Sequence, residues 1–281
     1  MRSISTYLII IIMTAVIILS GYNLWKMSER YIQEAQIKNS VAKYHPEYVL
    51  NTGTKETASV TDSNLLTETK ENRFITDLQN EVNEDIVGWL TIPDTQIDYP
   101  FVISHDNDYY LRRDLYGNYA LAGTIFMDYR CYTDTVRSNF TDFNTVIYGH
   151  NMNNGSMFGE LSLFADEGFF ESNKYGTIFL KDNTYTLEFF AYMIVRSNDQ
   201  MIYDPYKSAS DKERNEFFEY VKKTARNYRE VTGCHRFEPV TPDPLTPTDI
   251  NIVTLSTCSY EFNGARIVLL AIIVPEVNDK R

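Results

Sequence analysis

The chain opens on an apolar run, passes through a polar stretch and then settles into short β-patterned segments. From Ser3 to Trp25 no residue is charged, and Tyr7–Leu19 is almost entirely Ile, Leu, Val and Met. A run of this length can cross a bilayer as a helix. A cleaved signal peptide has an apolar region of roughly 7–15 residues followed by a small-residue site, whereas this run continues through Ser20, Gly21, Tyr22 and Leu24. Residues 1–25 are therefore expected to form an uncleaved anchor. Arg2 and the N-terminal amine on one side nearly balance Lys26 and Arg30, offset by Glu29, on the other. The lack of a second hydrophobic span tips the expectation toward export, giving a single-pass protein of the cell membrane with the rest of the chain extracellular.

Residues 26–73 read as a stalk. Met27–Val41 has the pattern of a polar helix, and Asn51–Arg73 is Thr-rich and poor in large apolar residues, a composition that cannot bury a core. A globular domain, residues 74–281, begins where Phe74, Leu78, Val82 and Ile86 recur every four positions, the period of a short amphipathic helix. Short runs rich in β-branched and aromatic residues follow, bounded by Gly, Pro, Asn or Asp. They are Gly88–Ile92, Ile97–Val102, Thr124–Tyr129, Thr145–His150, Thr177–Leu180, Tyr185–Val195, Ile250–Cys258 and Arg266–Val274. About eight strands at irregular spacing predict a mainly β domain, barrel or sandwich. Two helical insertions are expected, Met157–Ala165 and one opening at Ser210, where Ser210 and Glu213 make a capping box ahead of a stripe of Phe217, Phe218, Val221, Ala225 and Tyr228. Pro239, Pro242, Pro244 and Pro247 then define a stiff loop.

Composition narrows the function. With 43% hydrophobic and 23% charged residues among 281, the chain can bury one sizeable core. Its 26 Lys and Arg against 38 Asp and Glu leave a net charge of −12, which repels a phosphate backbone, so no nucleic-acid partner is expected. The three cysteines, Cys131, Cys234 and Cys258, have no CxxC spacing. Neither a zinc site nor a thioredoxin-type redox pair is indicated, and an odd count leaves room for a free thiol.

That thiol has a place in the pattern. If Tyr260–Gly264 is a five-residue hairpin loop, Ser259 pairs with Ala265 and Cys258 falls opposite Arg266. Cross-strand partners share a face, about 4.5–5.5 Å apart at Cβ. A guanidinium there favours the thiolate and can hold a developing oxyanion. Each residue also has a plainer use, the cysteine as a small core side chain and the arginine as a solvated hairpin end. His150 ends the strand TVIYGH and opens the loop NMNNG, a strand-end position where side chains meet solvent and substrate. A cysteine nucleophile needs a proton donor for its leaving amine. Of the other histidines, His45 lies in the stalk region and His105 and His235 in polar loops.

Several segments, in order, resemble a class B sortase, a membrane-anchored cysteine transpeptidase of Gram-positive bacteria. They are DIVGWLTIPDTQIDYPFV (Asp85–Val102), DNDYYL (Asp106–Leu111), GTIFMDYR (Gly123–Arg130), YGHNMNNGSMF (Tyr148–Phe158), the helix after Ser210, and TLSTC (Thr254–Cys258) with Arg266 behind it. The resemblance covers roughly Phe74 to the C-terminus. It implies a closed β-barrel with N-terminal helices and an inserted helix before the penultimate strand. It further implies Cys258 as nucleophile, His150 as general acid/base and Arg266 as oxyanion-holding or substrate-positioning cation. Asn107, Leu111, Tyr148 and Ser256 would line the peptide groove. Cys131, Cys234 and His235 fit no part of the family pattern, and both a Cys131–Cys234 disulfide and two separate thiols are open for an exported domain.

The implied chemistry cuts a sorting signal of a surface-protein precursor at a Thr carbonyl, forms a thioester on Cys258 and passes the acyl group to an amine of the cell wall, on a peptidoglycan precursor, or of another protein. No metal or organic cofactor is called for. A pilin-polymerising sortase differs only in the acceptor amine. A papain-like protease is disfavoured because His150 precedes Cys258, the reverse of that family's order. An inactive membrane-tethered binding module is the alternative from another class.

Overall fold

The computed structural model describes residues 2–46, 72–131, 142–204, 210–230, 251–259 and 261–274. Most of the expected stalk, the Pro-rich loop, Cys234 and His235 lie outside them. The chain divides into two compact units, Met1–Lys43 and Tyr44–Arg281.

The first unit is one helix, α1 (Arg2–Val41), of 40 residues. At about 1.5 Å per residue it is roughly 60 Å long, twice the roughly 30 Å hydrocarbon layer of a bilayer. Its first half exposes Ile, Leu, Val and Met side chains on every face, Ile18 at 70% for example, an exposure that water does not favour and lipid does. Among the described residues it is the one helix long and apolar enough to cross a membrane, and it is compatible with a membrane anchor.

The second unit starts at Tyr44 and contains a short helix, α2 (Arg73–Glu81), whose Phe74, Ile75 and Leu78 are buried. The four-residue period that predicts a helix to Ile86 outruns it. The helix stops at Glu81, Asn83 caps the following turn by accepting from the Asp85 N–H, and Ile86 opens the first strand. Among the described residues nine strands follow: β1 (Ile86–Thr91), β2 (Asp98–Ile103), β3 (Phe126–Met127), β4 (Asn144–Tyr148), β5 (Tyr175–Leu180), β6 (Thr184–Arg196), β7 (Asn227–Tyr228), β8 (Ile252–Cys258) and β9 (Ala265–Val274). Their order is β5-β1-β2-β3-β4-β8-β9-β6, and β6 returns to β5, closing an eight-stranded barrel. The 13-residue β6 is long enough to pair with β5 in its first half and with the extra strand β7 in its second. The β2–β3 and β4–β8 pairs are parallel and the others antiparallel.

Two predicted elements come out differently. Thr124–Tyr129 gives only the two-residue β3, because the Thr124 hydroxyl and N–H bond to the carbonyls of Arg113 and Tyr110 instead of a strand neighbour. Met157–Ala165 is not an α-helix: Met157 sits at φ 53, outside the helical region, and a 3-10 segment runs from Gly159 to Ala165. The α-helix comes after it, as α3 (Glu167–Ser172), capped by the Asp166 carboxylate on the Phe169 N–H. A one-turn helix, α4 (Gln200–Tyr203), precedes α5 (Asp211–Thr224), where both bonds of the Ser210/Glu213 capping box form.

Strand alternation divides the core in two. Leu255, Val253, Ile267, Leu269 and Ile147 point into the barrel with Leu90, Phe101 and Phe158. Val146, Ile252, Val268, Leu270 and Val195 point outward and are covered by Phe217 and Val221 of α5 together with Ile202 and Tyr203 of α4. With both faces buried, β9 reads as the continuous run RIVLLAIIV rather than as an alternating strand.

Candidate active site

The β8–β9 hairpin has the register expected from its loop length. Cys258 pairs with Arg266, and the Ser259 N–H donates to the Ala265 carbonyl at 2.9 Å. Gly264, at φ +76, makes the turn that this pairing needs. On the other side of β8, parallel β4 pairs Tyr148 with Ser256, and the Gly149 N–H donates to the Ser256 carbonyl at 3.1 Å. His150 and Cys258 therefore leave adjacent strands at the same end. The Asn151 amide then donates to the Cys258 carbonyl at 2.8 Å, tying the histidine loop to the end of β8.

By alternation Cys258, Ser256, Tyr148 and Arg266 lie on the outer face of the barrel, the face that α4 and α5 cover further along. Beyond those helices the face opens into a cleft of about 280 Å³. Its walls include all seven residues named from the sequence: Asn107, Leu111, Tyr148, His150, Ser256, Cys258 and Arg266. They also include Phe126, Arg130, Gly149, Ser197, Tyr203 and Thr257, which the sequence reading did not single out.

His150 Nε2 lies 2.7 Å from the Leu111 carbonyl oxygen. A carbonyl can only accept, so Nε2 carries a proton and Nδ1 is the atom left to take up or release one. The carbonyl belongs to a 3-10 turn, Tyr110–Arg112, seated on Gly123. Gly123 has φ +59, and a Cβ there would stand 2.7 Å from both the Tyr110 and Leu111 carbonyl oxygens, so only glycine lets the turn approach this closely. The Asp106 carboxylate starts the same turn by accepting the Asp108 and Tyr109 N–H groups, which hold it below the usual carboxylate range. Asn107 accepts the Tyr129 N–H at 3.1 Å, and Arg266 donates to the Ala265 carbonyl at 3.0 Å.

The cleft floor is a hydrogen-bonded set. Tyr203 and Ser256 share a hydroxyl–hydroxyl bond of 2.8 Å. The Tyr148 hydroxyl donates to Asp128 Oδ2 at 2.9 Å. Arg130 donates to the same carboxylate from Nε at 3.0 Å and Nη2 at 2.7 Å, and from Nη2 to the Tyr203 carbonyl at 2.6 Å. Burial, then the Asp128 charge, pushes the Tyr148 hydroxyl up, and burial does the same for Tyr203, so both hydroxyls stay protonated. Of this floor the sequence pointed to Tyr148 and Ser256 but not to Asp128 and Arg130, two residues apart in MDYR. Nothing marked Tyr203, which reaches the floor from α4.

Cys131 is a free thiol, fully buried, with Sγ 3.7 Å from the Asn144 carbonyl. Burial pushes its thiol up to about 12, so it is not a second candidate nucleophile. Among the described residues no group of three or more His, Cys, Asp or Glu could hold a metal ion.

No family model matches the chain. Individual relatives do: the sortase B of Listeria monocytogenes is 36% identical over 185 residues, covering 66% of this chain and 67% of the relative. The chain belongs to the class B sortases. The solved sortase B of Bacillus anthracis agrees, at 30% identity and TM-score 0.64 over 88% of this chain and 98% of that one. A Streptococcus pyogenes class B sortase involved in pilus biogenesis is similar at 31% identity and TM-score 0.58, over 71% and 97%. This sortase is thus a cysteine transpeptidase.

Proposed function

We propose that this sortase cleaves its sorting peptide at a Thr carbonyl through a thioester on Cys258. The observation that carries the reading is the meeting of Cys258, His150 and Arg266 at one end of a single cleft. With its proton passed to Nδ1 of His150, the Cys258 sulfur attacks the carbonyl carbon, a C–S bond forms, and the guanidinium of Arg266 holds the oxyanion. His150, steadied at Nε2 by the Leu111 carbonyl, gives the Nδ1 proton to the departing amine as the C–N bond breaks. An incoming amine then loses a proton to Nδ1 and attacks the thioester; the C–S bond breaks, Nδ1 returns the proton to the departing sulfur, and a new amide and the free Cys258 thiol result. Asn107, Leu111, Tyr148 and Ser256 line the groove for the peptide. A merely tethered binding module would have no use for a thiol, an imidazole and a guanidinium at one rim.

Arg266→Lys tests the cation's role, because lysine keeps the charge and loses the planar fork. The rate on a sorting peptide should fall about tenfold or more, roughly 1.4 kcal/mol of transition-state stabilisation. A lysine enzyme as fast as wild type would leave only a general field effect.

The acceptor is proposed to be a peptidoglycan amine, and the likeness to the pilus-associated enzyme of Streptococcus pyogenes keeps a pilin amine as the second reading. Residues 1–25 are proposed as the anchor, 26–73 as the stalk and 74–281 as an extracellular catalytic domain, a placement that brings enzyme and membrane-held precursor together. Protease added to intact cells should remove the domain and leave an anchored N-terminal fragment. Full protection of the chain would contradict this topology.

A further inference from the structure

Asp128 touches no part of the cleft opening, yet it is bonded to two of the cleft's walls. Its side chain is 0% exposed. It accepts the Arg130 main-chain N–H at 3.0 Å, the Arg130 guanidinium in a two-pronged contact, and the Tyr148 hydroxyl. Burial works to raise this carboxyl, and the Arg130 bonds with that of Tyr148 outweigh it, so Asp128 stays ionised below the usual carboxylate range.

A buried ion pair gives a fold little stability, because desolvating two charges offsets most of their attraction. Its stronger effect is to fix geometry, and here the groups it fixes face the cleft. Arg130 carries the constraint onward to the Tyr203 carbonyl, and the Tyr203 ring, stacked 6.2 Å from Tyr148, passes it through its hydroxyl to Ser256. Ser256 pairs with Tyr148 across β4 and β8 and lies two residues before Cys258. Tyr148, Arg130, Tyr203 and Ser256 thus form a closed loop of contacts with one anchoring charge. We propose that Asp128 is a positioning residue of the peptide groove: its buried carboxylate holds the Tyr148 hydroxyl and the Arg130 guanidinium in place, giving the floor under the sorting peptide a single shape. The proposal rests on the cleft being the peptide's site.

In this account Asp128 acts on peptide binding and not on the thiol. Asp128→Asn keeps the size of the side chain but loses the charge and one acceptor oxygen. In the full-length enzyme in detergent, KM for a sorting peptide should rise about tenfold while kcat changes by less than about threefold. The rate at which iodoacetamide alkylates Cys258 should stay at the wild-type value. Tyr148→Phe removes one bond and leaves the ion pair whole, so it serves even if Asp128→Asn fails to fold. It should raise KM about threefold alone and add less than about twofold in the Asp128→Asn background. A wild-type KM in the folded Asp128→Asn enzyme, a wild-type KM in Tyr148→Phe, or effects that multiply would overturn the proposal. Peptide turnover by Cys258→Ala would instead overturn the reading of the cleft beneath it.

Discussion

Cys258→Ala is expected to lose all peptide cleavage, whereas Cys131→Ala keeps turnover within a few-fold of wild type. The contrast follows from position. Cys258 ends β8 at the cleft, only part-buried, opposite the Arg266 guanidinium and beside the strand that delivers His150. Cys131 is sealed in the barrel core, where burial keeps its thiol protonated. No other group on the cleft wall can form a thioester, so removing Cys258 leaves no slower route of the same kind. The check is product formation by chromatography over hours. Activity in Cys258→Ala together with loss in Cys131→Ala would reverse the assignment.

His150→Ala carries the next largest expected loss. General acid–base catalysis contributes about 10²- to 10⁴-fold, and kcat on a peptide substrate should fall by that much. The loss should depend on the leaving group. An amine must be protonated as it departs and a thiolate need not be, so the first, acylating burst on a peptide thioester should be nearly normal in His150→Ala. Since the ring lies at the exposed end of β4 with its Nε2–H on the Leu111 carbonyl, removing it leaves the core intact, and the thermal midpoint should not move. An equal deficit on amide and thioester substrates would mean that His150 shapes the site instead of moving the proton.

The hairpin that places Cys258 opposite Arg266 was legible because loop length fixes antiparallel register, and Asn263-Gly264 supplies the residue that turns with positive φ. The barrel was legible as a strand count, but its closure through β6 and β5 is a tertiary pairing with no local signature. Periodicity misled where it continued by coincidence past a real stop, as at Val82 and Ile86, or ran across a backbone that cannot be helical, as at Met157. The acceptor that orients His150 was not legible at all. It is a main-chain carbonyl, and any residue at 111 would supply one; what places it is the turn seated on Gly123. Arg130, Asp128 and Tyr203 were hidden for a related reason. Their bonds join the turn after β3 to β4 and α4, a tertiary arrangement with no local period to reveal it.

The proposed reaction passes through a covalent bond between the peptide's acyl group and one sulfur. The full-length enzyme mixed with excess sorting peptide, without an acceptor amine, should gain the mass of the acyl fragment. After acid quench and digestion that mass should sit on the segment containing Cys258 and be released by hydroxylamine, as a thioester is. Peptide cleavage with no adduct on Cys258, or with the adduct on another residue, would contradict the account.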